Sequence, residues 1–184
     1  FYVVGVLEKP VSNIVFMGMG EPLHNYDNVV LAIRQMNDMS GMALSRRRMT
    51  VSTVGLVPEI IRLAEEDVPC KLAVSLNAVF DSKRSELMPI NRKYNLDSLF
   101  RACKTYTEIT SQRVTFEYVL MEGENDKSLD LRELKARLSR LPSKLNLIHY
   151  NQTDRGFTRG TDILFKKFFD KMENAPFPVT LRQS

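Results

Sequence analysis

Cysteine is scarce in this sequence: Cys70 and Cys103 stand far apart, and no C-x-x-C spacing occurs. That excludes a disulfide framework and a cysteine-built zinc site, and it leaves two reduced, buried thiols as the expectation. No apolar run approaches the ~20 residues that cross a bilayer, and the opening Phe1-Tyr2-Val3-Val4-Gly5 lacks the basic start of a secretory signal. A soluble cytoplasmic protein with no membrane partner is the expectation. Strong charge of one sign is missing too. The 26 basic residues against 22 acidic ones leave +4, which permits a polyanionic partner without demanding one. No proline-rich or serine-rich stretch marks a linker, so 184 residues, 43% of them apolar, read as one domain with its own core.

What is present is a regular alternation. Residues 13–17, 48–53, 71–76, 114–120, 145–150 and 178–181 read as short apolar strands, the first apolar enough for a strand covered on both faces. Between them lie helical patterns. Asp27 is placed to cap a helix with Val29, Val30, Ile33 and Met36 on one face, and Pro58 starts one with Ile60, Ile61 and Ala64 inward. A short charged helix over 81–88 precedes a loop at 89–94. From Asn95, the spacing of Leu96, Leu99, Phe100, Cys103 and Tyr106 predicts another helix. Ser128 is placed to cap one with Leu131, Leu134 and Leu138 inward, and the last helix carries Phe165, Phe168, Phe169 and Met172. Strand and helix in strict alternation predict an α/β fold with one parallel sheet or barrel.

In such folds ligands bind beyond the carboxyl ends of the strands. The stretch FMGMGEPL, Phe16 to Leu23, breaks its apolar run there with two glycines, a lone glutamate and a proline. Gly18 and Gly20 let the backbone turn or approach another group closely, and Pro22 fixes φ. Other strand ends carry Ser52, then Ser75 and Asn77, then Glu122, then Asn151. Each of these alone is explained as a helix cap. The set points to a ligand.

GMGEPL, followed by RRRMTVSTVGLVPEI, LAVSLNA, LMPINRKY, RVTFEYVL, ND and LNLIHYN, resembles the radical S-adenosylmethionine family of RNA adenine C2-methyltransferases, in order and over nearly the whole chain. The resemblance implies a partial (βα)6 barrel, here lacking its first strand and cluster loop, with S-adenosylmethionine and a [4Fe-4S] cluster at the carboxyl ends of the strands. It implies that Gly20 and Glu21 contact the methionine ammonium, sound chemistry for a carboxylate beside a bare backbone. It places Ser52 at the cofactor's carboxylate end, Ser75, Leu76 and Asn77 along the ribose, and Asn151 completing the site. Ribosomal RNA, transfer RNA and a reductant protein are the implied partners of a monomeric enzyme.

The sequence departs from the family in three places. Asn77 stands where histidine is common, and it keeps hydrogen bonding but loses titration. His149 and Gln152 flank Asn151 where prolines are common. Neither the family's C-x-x-x-C-x-x-C triad nor its methyl-carrying cysteine occurs between Phe1 and Ser184, and Cys70 and Cys103 match neither position. Two explanations stand: residues 1–184 are one core-domain segment of a longer enzyme, incomplete at both ends, or a relative kept the scaffold as a non-catalytic RNA-binding or ribosome-associated protein. His24 and His149 read as structural. Arg46, Arg47 and Arg48 read as solvated charge at a strand's amino end, so Arg92 and Lys93 are the better candidates for phosphate contact.

Overall fold

Apolar runs of three to seven residues with helices between them can share one sheet only through crossovers, and that is the arrangement of the computed structural model, which describes residues 11–151 and 157–182. All six expected strands form: β1 (Ile14–Phe16), β2 (Met49–Thr53), β3 (Lys71–Ser75), β4 (Val114–Leu120), β5 (Ser143–His149) and β6 (Val179–Arg182). They lie in sequence order, every neighbour pair parallel. Six helices connect or flank them: α1 (Tyr26–Asn37), α2 (Val57–Glu65), α3 (Asp81–Leu87), α4 (Leu96–Thr110), α5 (Ser128–Leu138) and α6 (Asp162–Asp170). Each crossover steps to the next strand in the same direction, so right-handed connections put the helices on one face. The order never reverses, which makes this a barrel segment and not a doubly wound sheet.

Side chains alternate across the strands. Leu72, Val74, Phe116, Tyr118, Leu145 and Leu147 are buried against the helices, with Phe116 stacked on Phe100 of α4 at 5.1 Å and Tyr118 on Phe168 of α6 at 6.3 Å. The opposite, inner face is polar: it carries Thr50, Ser52, Lys71, Ser75, Thr115, Glu117, Lys144, Asn146, Thr180 and Arg182. This corrects the expectation of a first strand covered on both faces. Val15 is 52% exposed, because β1 is a sheet edge and the helices cover one side only.

Helix starts also differ from expectation. A 3-10 turn, Pro22–Asn25, leads into α1, so Asp27 lies inside the first turn instead of capping it. At α5 the cap is Lys127, whose N–H is accepted by Asp130 at 3.1 Å, and Ser128 is the first helical residue. The expected loop at 89–94 contains a second 3-10 turn, Pro89–Arg92. Asn95 does cap α4, accepting from the Ser98 N–H at 2.9 Å. Cys70 and Cys103 are fully buried, as their setting in apolar sequence implies.

Candidate functional site

Just past β1, Gly20 has φ +102°, a conformation that side chains rarely adopt, and a Cβ there would meet nothing within 4 Å. The backbone at Gly20 therefore faces open space. Glu21 is held on both oxygens: Oε1 accepts the Leu23 N–H at 3.0 Å and Oε2 accepts the Val54 N–H at 2.7 Å. The carboxylate thus ties the turn after β1 to the turn after β2. Each oxygen accepts one bond and keeps a further lone pair for a cation.

The strand ends beside it are set from below. Arg84 of α3 is fully buried and spreads its guanidinium under β2 and β3: Nη2 donates to Val54 O (2.8 Å) and Ser75 O (3.2 Å), Nε to Leu76 O (3.1 Å) and Nη1 to Asn91 Oδ1 (3.0 Å). Burial pushes its pKa down to about 10. Asn91 is fixed in turn by Asp81 Oδ1 and Ser85 Oγ, each at 2.9 Å. Asn77 sits at φ +56°, where asparagine is better tolerated than most residues, and its Oδ1 accepts the Val119 N–H at 3.0 Å. Asn125, fully buried, completes the junction by donating to Asn77 O (2.8 Å) and Val119 O (2.7 Å) while accepting from the Met121 N–H (2.8 Å).

A cavity of about 400 Å³ opens at the ends of β3, β4 and β5, lined by Asn77, Met88, Val119, Met121, Tyr150 and Phe157. Its walls are mostly apolar, with the Asn77 amide as a polar edge. Another cavity, of about 320 Å³, lies on the outer face between α4 and the end of α5 and includes no strand-end residue.

Of the residues expected from sequence, Asn77 lines the strand-end cavity, Glu21 is tied to the Val54 N–H, and the Ser75 C=O shares the Arg84 guanidinium with the Val54 C=O. Ser52 lies deeper on the inner face, 6% exposed, and donates from Oγ to Glu117 Oε2 at 2.9 Å. Leu76 offers a ligand little: its side chain is buried, its N–H goes to Glu117 O (2.9 Å) and its C=O takes Arg84. Asn151 is exposed beyond β5, and Gln152 lies outside the described residues. His149 is buried on the helix side, stacked on Phe165 at 3.6 Å, its pKa lowered by burial and Arg159 against the opposing pull of Asp162. Arg92 and Lys93 are exposed, the Lys93 ammonium 5.1 Å from the Tyr94 ring, while Arg46 pairs with Asp67.

The residues that sequence reasoning missed are Arg84, Asn91, Asn125 and Glu117. Asn91, Glu117 and Asn125 stood inside quoted motifs without being singled out, and Arg84 stood in none.

The site fits the amino-acid end of S-adenosylmethionine: a carboxylate with spare lone pairs, a bare backbone and hydrogen-bonding amides beside a mostly apolar cavity. Among the described residues no group of three or more His, Cys, Asp or Glu is placed to hold a metal. Burial pushes the Cys70 and Cys103 thiols up to about 12, the reverse of what a thiolate ligand needs. These residues do not fit an iron–sulfur cluster.

The model of the radical SAM superfamily matches residues 3–134. A dual-specificity RNA methyltransferase RlmN of Methylobacterium radiotolerans is 51% identical over 148 residues, 80% of this chain and 35% of that protein. A probable dual-specificity RNA methyltransferase RlmN of Moorella thermoacetica is 46% identical over 175 residues, 95% of this chain and 49% of that one. The chain therefore spans half or less of the length of these curated relatives. The crystal structure of a radical SAM methyltransferase from Sphaerobacter thermophilus matches with a TM-score of 0.93 at 41% identity, covering 100% of this chain and 54% of that one. A domain of pyruvate-formate lyase-activating enzyme from Bacteroides vulgatus, at 15% identity and a TM-score of 0.67 over 93% of this chain and 99% of that one, shares the fold alone.

Proposed function

The chain belongs to the radical SAM superfamily, and from that premise we propose that it is the S-adenosylmethionine-binding barrel segment of an RNA methyltransferase, one that modifies adenine C2 in large-subunit ribosomal RNA and transfer RNA. In this reading residues 1–184 are one core-domain segment of a longer cytoplasmic, monomeric protein served by a reductant protein. Cluster ligands and the methyl-carrying cysteine come from the rest of that protein. Bound in the whole protein, the cofactor and its cluster would supply the radical chemistry of the reaction. This chain's residues bind and orient. Glu21 takes the ammonium, Gly20 lets the ligand approach the backbone, and Asn77 and Asn151 complete the polar edge of the site at the ends of β3 and β5.

The observation that carries the reading is Glu21, pinned by two backbone N–H groups beside an open glycine at the end of the first strand. Losing its charge-assisted bond in Glu21→Gln weakens cofactor binding by about 1 to 3 kcal/mol. Calorimetric titration of the full-length protein checks this. The same protein, incubated anaerobically with cofactor, reductant and ribosomal RNA, is expected to produce 2-methyladenosine, read by mass spectrometry of the digest. RNA binding without that product replaces the enzyme reading with the RNA-binding scaffold.

A further inference from the structure

Glu117 is the only carboxylate in any of the six strands, and it lies on the inner face at 9% exposure. A buried carboxylate is costly unless well paired. Among the described residues this one receives a single side-chain hydrogen bond, from Ser52, and its nearest cation, Arg182 Nη1, stands 3.9 Å from Oε1, too far for a hydrogen bond. Its neighbours are the residues expected at the ligand site. Ser75 of β3 is in register with it. Val119, two residues along β4, gives its N–H to Asn77, and Val54, two residues beyond Ser52, gives its N–H to Glu21.

Ser52 has one hydroxyl hydrogen, and Glu117 takes it. In this arrangement only lone pairs remain for a ligand, so a donor or a positive centre is matched there, and not the carboxylate that the resemblance sets against Ser52. Resting on the reading that S-adenosylmethionine binds here, we propose that Glu117 is a specificity-determining residue of the site. Its charge, with the acceptor-only Ser52 that it fixes, favours the sulfonium cofactor over the neutral thioether left after methyl transfer. An under-neutralised carboxylate beside the site serves this end because field effects in a partly dry trough act without contact.

The test is isothermal titration of the full-length protein with S-adenosylmethionine and with S-adenosylhomocysteine, which lacks the methyl group and its positive charge. Glu117→Gln keeps the shape and an acceptor for Ser52 but removes the charge. It lowers affinity for the sulfonium about tenfold and for the thioether about twofold or less, the size expected for one charge at several ångströms in a medium of intermediate dielectric. Arg182→Gln, at a half-exposed side chain that the fold tolerates, removes the partial neutralisation and raises the preference for the sulfonium about twofold to threefold. Equal losses for both ligands in Glu117→Gln, or an unchanged preference in either variant, overturn the proposal and leave the cofactor reading intact. Failure of the unmutated protein to bind S-adenosylmethionine removes both.

Discussion

A guanidinium buried among carbonyls is an unusual support for a binding site, and Arg84 shows what it does. It is fully buried and forms no salt bridge among the described residues, yet three backbone carbonyls at the ends of β2 and β3 and one side-chain carbonyl take its hydrogens. Those carbonyls cannot be exchanged for apolar groups. Replacing the cation therefore takes a donor from each of them in a dry place, where Leu76 O keeps the Ala78 N–H at 2.7 Å, unlike the removal of both members of an ion pair. Arg84→Met is expected to cost about 3 to 5 kcal/mol in urea unfolding, and Arg84→Lys less, since an ammonium still donates to some of the four oxygens though it cannot span them all. Nothing in Asp-Ser-Lys-Arg-Ser-Glu-Leu marks the arginine as the inward one, because its partners are backbone carbonyls, which carry no sequence signature. Glu21 was legible for the opposite reason. It interrupts an apolar run between glycine and proline, so chain geometry and chemistry announce it together.

At the scale of elements, the strands were legible from their apolar runs and the helices from their period, while the helix starts were not. Asp27 and Ser128 are good caps by type, but the chain turns one or two residues earlier in each case, at Asn25 and Lys127. The segment between β4 and α5 shows how a loop fixes two strands. Asn125 caps the open end of β4 through Met121 and Val119 and reaches across to Asn77 beyond β3. Asn125→Ala leaves a donor and two acceptors unmet and is expected to cost about 2 to 4 kcal/mol. Asn125→Asp keeps the acceptor for the Met121 N–H but loses the two donated bonds. Native-state hydrogen exchange separates the cases: the Met121 amide loses protection in the alanine variant and retains more of it in the aspartate variant. Equal protection of Met121 in both variants would show that the loop is held by something else.

The whole molecule is a parallel sheet with helices on one side, and its two thiols lie outside the polar inner face. The one-sided cover was not legible, since an apolar triplet such as Ile14 to Phe16 reads the same whether one face or two are packed. The fate of the thiols was legible, because both sit in apolar settings. Burial raises Cys70 and Cys103 from an ordinary 9.0 to about 12. A raised folded value means that their contribution to stability is complete below pH 9 and is lost as pH rises toward 12: the unfolded chain releases these protons near 9 while the folded chain keeps them. Burial also raises Tyr26, Tyr106 and Tyr118, whose contributions begin to fall near their ordinary value of 10.0 and together remove about 1 kcal/mol across the same unit, so the thiols carry the larger part between pH 9 and 10. Across that single unit the two thiols together should cost about 2 kcal/mol of folding stability. A Cys70→Ala, Cys103→Ala double variant loses about 1 to 3 kcal/mol per site to altered packing at every pH, but from 9 to 10 its stability falls by only the tyrosines' share, about 1 kcal/mol against about 3 in the unmutated protein. Urea unfolding at closely spaced pH values reads the difference in slope. If the unmutated protein and the double variant decline in parallel, at least one thiol ionises within the fold, and the exclusion of these cysteines from metal binding falls with it.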